Sequence, residues 1–254
     1  MPMNVSGGYI TLDKHFLGIY NNSNKYEVNM RSLDLITFDT TNYEYLGVED
    51  GIKMWETKQG DLLALYLFDK KPDIGASLDD LLELRKFYRS SITKAGLAVI
   101  EIDTIEIDTV KVVKTIFKAS HQPRGMVYIG SLTIPFQGFS YVVKLQAEER
   151  GITGLRDTAI FHKMIESGKV IMKDNNDDVE VIGWMQDPYD SAFKAKIMMN
   201  LSELEEYDKL FPEHPLSRVR GIFPSVVKTL KIDGSLKEFP VFKFDKKNPW
   251  WKVW

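Results

Sequence analysis

One amphipathic helix that runs straight into four alternating apolar-polar stretches, between residues 77 and 148, limits this chain to few folds. In "DIGASLDDLLELRKFYRSSITKAG", Ser77 is a good N-cap, Asp79 and Asp80 fall in the first turn, where the helix dipole favours them, and Gly96 is the stop. Leu81, Leu84, Tyr88, Ile92 and Ala95 recur at helical spacing and give a single apolar stripe, so the helix needs a flat apolar surface to lie on. The residues that follow supply one. In "LAVIEIDTIEID", Ile100 and Ile102 share one phase and Ile105 and Ile107 the other, which predicts a strand with a bulge or bend at Asp103-Thr104. Asp108-Thr109 then turns the chain into "VKVVKTIFKA", and after the loop "SHQPRG" comes "MVYIGSLTI", with a phase break at Gly130-Ser131. "FSYVVKLQAEE" sets Phe139, Tyr141, Val143, Leu145 and Ala147 on one face and Ser140, Lys144, Gln146 and Glu148 on the other. That is the pattern of a half-buried antiparallel strand, wet or only lightly covered on its second face.

Upstream, "LDLITFD", "KMWET" and "DLLALYLF" read as strands, with Gly60 turning the last two into a hairpin. Downstream, "TGLRDTAIFHKMIESG" reads as a short helix capped by Thr153 and stopped at Gly168, and "KVIMKDNNDDVEVIGW" as a hairpin turning at Asn175-Asn176. Strands grouped with strands and few helices define an α+β fold, an antiparallel sheet packed by an amphipathic helix. The organisation expected is a core over residues 1–168 and a mixed C-terminal extension over residues 169–254, packed on that core.

Function classes are narrowed mainly by what is missing. The 254 residues contain no cysteine, which removes disulfides, thiol nucleophiles and cysteine-bound zinc. The net charge of −3 recommends neither nucleic acid nor an anionic membrane as partner. The beginning of the chain lacks the pattern of a secretory signal, and the longest strongly apolar run, residues 62–68, is far short of a membrane span, so a soluble cytoplasmic protein is expected. Neither phosphate-loop fingerprint occurs, and "GFSYV" around Ser140 is half a nucleophile elbow inside an ordinary strand. The histidines, at 15, 121, 162 and 214, form no metal motif; His162 and Glu166 are spaced for a helix-surface ion pair. "KDNNDDVEV" lacks the glycine and the distal glutamate of a calcium loop. No cofactor is expected.

The segments "SLDDLLELRKFYRSSITKAG", "LAVIEIDTIEIDTVKVVKTIFKA" and "MVYIGSLTIPFQGFSYVVKLQAEE" together resemble the PsbP-like family, which includes DcrB-like bacterial proteins. The resemblance covers residues 50–168 and departs from the family at Asp108-Thr109, where an Asn-Gly-like pair is common. It implies a helix packed on an antiparallel sheet, and a binding, assembly or adaptor role; some bacterial relatives chaperone effectors of type VI secretion. It supplies no catalytic residue, and likeness of fold does not carry function.

The most chemically loaded stretch is "LFPEHPLSRVRG", residues 210–221. Read as a hydrolase site, it would make His214 the base for Ser217. Helix geometry is simpler: Pro215 fits the first helical position with His214 just before it, and Leu216, Val219, Phe223, Val226, Val227 and Leu230 follow at helical spacing. Gly221 and Pro224 predict a kink or a split into two helices. Arg218 and Arg220 point off the apolar stripe, toward the carboxylates of "SELEEYD". Charge in this third of the chain is uneven, ten acidic residues against two lysines over residues 174–208 and nine basic against four acidic over residues 213–254. The chain ends "KKNPWWKVW", and Trp250, Trp251 and Trp254 are interface candidates unless they fold back.

These features favour a non-enzymatic protein-binding module, an adaptor, effector chaperone or immunity-type protein, with another protein as partner and no nucleic acid or membrane. The expected binding residues are His214, Arg218, Arg220, Arg156, Trp250, Trp251 and Trp254. The alternative is a small-ligand binder or enzyme with a site between sheet and C-terminal extension, using His121, Arg124, Arg156 or His214. A homo-oligomer joined through the tryptophans is a third reading.

Overall fold

Seven alternating strands build one antiparallel sheet in the computed structural model, which describes residues 5–6, 9–10, 31–121, 123–175 and 178–245. In chain order they are β1 (Glu44–Glu49), β2 (Ile52–Glu56), β3 (Leu62–Phe68), β4 (Ala98–Ile107), β5 (Val110–Ser120), β6 (Met126–Pro135) and β7 (Ser140–Glu148). Their order across the sheet is β1-β2-β3-β7-β6-β5-β4, so the chain builds inward from one edge and then, after helix α1 (Leu81–Lys94), inward from the other. β7 is the central strand. The fold class is α+β, with two further helices, α2 (Leu155–Glu166) and α3 (Pro215–Thr229), and a hairpin of β8 (Ile171–Asn175) and β9 (Asp178–Ile182). Among the described residues no helix is long and apolar enough to cross a membrane.

The two faces of the sheet are covered by different helices. On one, Leu63, Leu65, Val112, Ile116, Leu132, Ile134, Tyr141, Val143 and Leu145 meet Leu216, Val219, Phe223 and Val226 of α3 in the largest apolar cluster. On the other, Ile92 of α1 packs on Val99, Ile102, Phe117, Val127 and Ile129, while Leu84 meets Ile74, Val113 and Phe242. The C-terminal third thus contributes its longest helix to the same core as the strands. Polar groups pin it there. Glu203, wholly buried, accepts from Lys118 Nζ at 2.7 Å, Tyr128 Oη at 2.6 Å and the Asn200 backbone N–H at 2.7 Å.

Several local expectations are corrected. α1 starts at Leu81 with Asp80 as N-cap, accepting from the Glu83 N–H, because Ser77 instead caps a turn by accepting from the Asp79 N–H; Ala95 is exposed. The irregularity of β4 lies between Val99 and Glu101, earlier than Asp103-Thr104, and it sends Ile100 and Ile102 into the clusters on opposite faces. β6 has no phase break at Gly130-Ser131. Gly130 keeps the alternation and lets Phe223 approach, since a Cβ there would stand 2.5 Å from the ring. "LDLITFD" is mostly a 3-10 turn, Leu33–Leu35, followed by the two-residue strand Ile36–Thr37; β1 was not foreseen. α2 is preceded by Gly154 at φ 76°, not capped by Thr153, and α3 runs unbroken through an exposed Pro224. Asn176 lies outside the described residues.

Candidate ligand-binding site

The loaded stretch is the start of α3. His214 is its N-cap, with Nδ1 accepting from the Leu216 N–H, and Pro215 opens the helix. Arg156, only 1% exposed, donates to the carbonyls of Ser202 and Leu204, to Asp208 at 2.9 Å and to Ser217 at 2.9 Å. Arg220 also donates to Asp208, the last carboxylate of "SELEEYD". Arg218 does not go there: it forms a paired bridge to buried Asp61, 2.7 Å on each branch, on the strand side. Burial, then the nearby Arg156, Arg218, Lys118 and Arg220, push the His214 imidazolium down to about 3, although Glu149 lies 3.7 Å from Nε2. The structure therefore brings Arg156, His214, Arg218 and Arg220 together, and an open cleft of about 540 Å³ reaches the first three. Arg156 and Arg218 donate from all three of their nitrogens, Arg220 is paired with Asp208 and the imidazole is neutral, so the cluster is largely occupied by its own contacts. His121 lies 3.9 Å from Glu148, Arg124 is exposed, and Trp250, Trp251 and Trp254 are outside the described residues. His162 and Glu166 are both exposed on α2. Among the described residues no group of His, Asp and Glu could hold a metal ion.

A different site lies on the opposite face of the sheet, under α1. The second face of β7, read from the sequence as wet or lightly covered, is enclosed: Ser140, Lys144 and Gln146 are all buried. Lys144 is 7% exposed, and among the described residues no hydrogen bond or ion pair reaches Nζ; the face of Tyr66 stands 5.8 Å away. Burial pushes its ammonium down to about 8. Buried charges normally have a partner; this one has none among the described residues, and it lines a cavity that is partly open.

Register explains the surroundings of Lys144. It pairs with Ala64 of β3 on one side and Ser131 of β6 on the other, and Ser131 in turn faces Thr115 of β5. The two hydroxyls are 2.7 Å apart. The next row holds Tyr66, Val142 and Thr133, and Tyr66 stacks on Phe68 at 5.7 Å. α1 supplies the opposite wall with Phe87 and Tyr88, the latter stacked on Phe117 at 6.4 Å. Burial raises both Tyr66 and Tyr88, with Asp73 adding to Tyr88, so both phenols stay neutral. The result is a cavity of about 270 Å³ with aromatic walls and a floor of lysine and hydroxyls. The loop after β3 adds Lys70, Lys71 and Asp73, so three cations and one carboxylate line the cavity. Burial raises the Asp73 carboxyl, against the pull of Lys70. An apolar cavity with a few convergent polar groups is the usual form of a small-molecule site.

The clue to Lys144 was available, since it is the lone charge in the run 139–147, and α1 needed a face to cover. No family model matches the chain, and no curated protein matches it. Among solved structures, a crystal structure from Bacteroides thetaiotaomicron VPI-5482 is similar at a TM-score of 0.31 and 6% identity, covering 48% of this chain. The chain spans 42% of that protein's length.

Proposed function

We propose that this protein binds a small amphipathic anion, a carboxylate on a flat or extended apolar body, in the cavity between α1 and the sheet. The observation that carries the reading is Lys144, largely buried on the central strand in the lining of the cavity, with no ion-pair partner among the described residues. A carboxylate would be held by the lysines that line the cavity, and charge-assisted bonds in a low-dielectric site are the strong ones. The aromatic walls would cover the apolar body, and Lys70 and Lys71 bias the cavity toward anions.

Calorimetric titration with an aryl carboxylate and its uncharged amide tests the proposal. The carboxylate is expected to bind saturably, and K144M to weaken it at least tenfold; equal binding of the neutral amide would sink it. A second reading, an adaptor or immunity-type protein-binding module of PsbP-like kind, is supported by α1 packed on an antiparallel sheet and by Tyr45, Leu46 and Val48 exposed on edge strand β1. A tagged pull-down tests it: one stoichiometric partner lost in Y45E/V48E would favour it, and retention in that variant would count against this surface.

A further inference from the structure

We infer that Lys144 captures its ligand covalently, condensing with a carbonyl group to form an imine, so that the ligand is a carboxylate that also bears an aldehyde or ketone. The inference rests on the anion-binding reading above and adds to it which group meets which cation: the carbonyl reaches Lys144 on the floor, and the carboxylate is held by Lys70 and Lys71.

Three features of the site support this. An ion-paired lysine is held protonated by its partner, whereas Lys144 forms no ion pair among the described residues, and its burial favours the neutral amine. Lysines made nucleophilic by desolvation in an apolar pocket are the general basis of imine chemistry in proteins. Next, the cross-strand neighbour Ser131 and its hydrogen-bonded partner Thr115 put a two-hydroxyl chain in the lining of the same cavity as the lysine. Directly opposed residues on neighbouring strands have their Cβ atoms roughly 5 Å apart, within reach of a side chain acting on the same ligand atom. Lastly, Lys144 lines a cavity of about 270 Å³, which gives the carbonyl and its tetrahedral intermediate room at the amine.

The chemistry closes without an oxidant or reductant. The neutral Nζ lone pair attacks the carbonyl carbon while the π pair moves to oxygen, and a proton passes from nitrogen to that oxygen to give a carbinolamine. The C–O bond then breaks as a proton is passed to the leaving oxygen, the nitrogen lone pair closes the C=N bond, the remaining N–H proton is given up in exchange for the one delivered, and water leaves, with the Ser131 and Thr115 hydroxyls of the cavity able to relay these protons. Amine and carbonyl give imine and one water.

The test uses the full chain, 4-formylbenzoate as probe and cyanoborohydride as trap, which adds hydride to the imine carbon and leaves a stable secondary amine. Peptide mapping is expected to find Lys144 modified at least tenfold faster than any other lysine, with a rate that rises with pH and levels off above about 8. An excess of 4-methylbenzoate, which has the carboxylate but no carbonyl, is expected to protect it. K144R, which keeps the charge, is expected to lose the preferred adduct while circular dichroism shows the fold retained. Should K144R fail to fold, protection of the wild type by 4-methylbenzoate decides. Uniform labelling of exposed lysines, with 4-methylbenzoate still bound in a separate titration, overturns the covalent inference and leaves anion binding standing. No binding of 4-methylbenzoate and no preferred adduct overturns both.

Discussion

A buried ammonium without a counterion is a cost to the fold, and at Lys144 the size and pH range of that cost can be stated. The unfolded chain holds the lysine's proton up to its ordinary value near 10.5, the folded chain only up to about 8. Folding therefore expels a proton between those limits, and this residue's contribution to stability rises with pH across that window. Below about 8 the whole penalty stands, roughly 3 kcal/mol at the usual conversion. Methionine fills a similar volume without charge. K144M is expected to be more stable than wild type at pH 7 by up to about 3 kcal/mol, with the gain fading toward pH 10.5. Urea midpoints of both proteins at pH 7 and pH 10 measure this, and a destabilised K144M at pH 7 would contradict it. Such a residue reduces stability and is retained where function needs it. The sequence displayed Lys144 in correct alternation but not its burial. Alternation reports which residues share a face; what covers that face is decided by a helix docking from elsewhere in the chain. The same limit applies to Arg156, legible as one charge on a helix and buried because two carbonyls, an aspartate and a serine converge on it.

At the level of elements, stripes and turns were legible and exact ends were not. α1, α2 and α3 follow their apolar periodicity because burial of one face dominates helix stability in proteins. Their caps differ from expectation at Ser77 and Thr153 because several residues near a helix start can cap it, and the choice depends on the preceding chain. Gly130 departs from the expected phase break for a related reason. A glycine inside a strand signals either an irregularity or a close approach, and here it is the approach of Phe223 and Val219 of α3. G130A would place a methyl 2.5 Å from the Phe223 ring and 2.8 Å from a Val219 methyl carbon, which can only be accommodated by moving the helix. A loss of about 1–3 kcal/mol is expected, in line with overpacked cores. Combining it with F223L should cost less than the sum of the two single changes, because the smaller side chain vacates the space. Denaturant melts of the four proteins form the double-mutant cycle. Strict additivity would mean that the glycine is there for another reason.

At the scale of the whole molecule, the question is whether the C-terminal third unfolds with the sheet or apart from it. α3 shares its apolar cluster with buried residues of six of the seven strands, and four bridges, Lys118–Glu203, Arg156–Asp208, Arg218–Asp61 and Arg220–Asp208, tie its surroundings together. His214 sits in that junction, in edge-to-face contact with Tyr128 of β6 at 5.2 Å, and acid provides a way to load it. In the unfolded chain the imidazole takes up a proton near its ordinary value of 6.5, in the fold only near 3. As pH falls through that interval the unfolded chain gains the proton first, so stability is lost between about 6.5 and 3, by about 5 kcal/mol at most from this residue. Asparagine can keep the N-cap and cannot titrate. H214N is therefore expected to lose less stability than wild type between pH 7 and pH 4, measured by urea unfolding followed both in the far-UV and by tryptophan fluorescence. If the junction joins the two parts into one cooperative unit, the two signals will coincide at each pH in both proteins. An acid-sensitive first phase in one signal alone would show the C-terminal third separating from the sheet, and an equal pH slope in H214N would remove His214 as the cause.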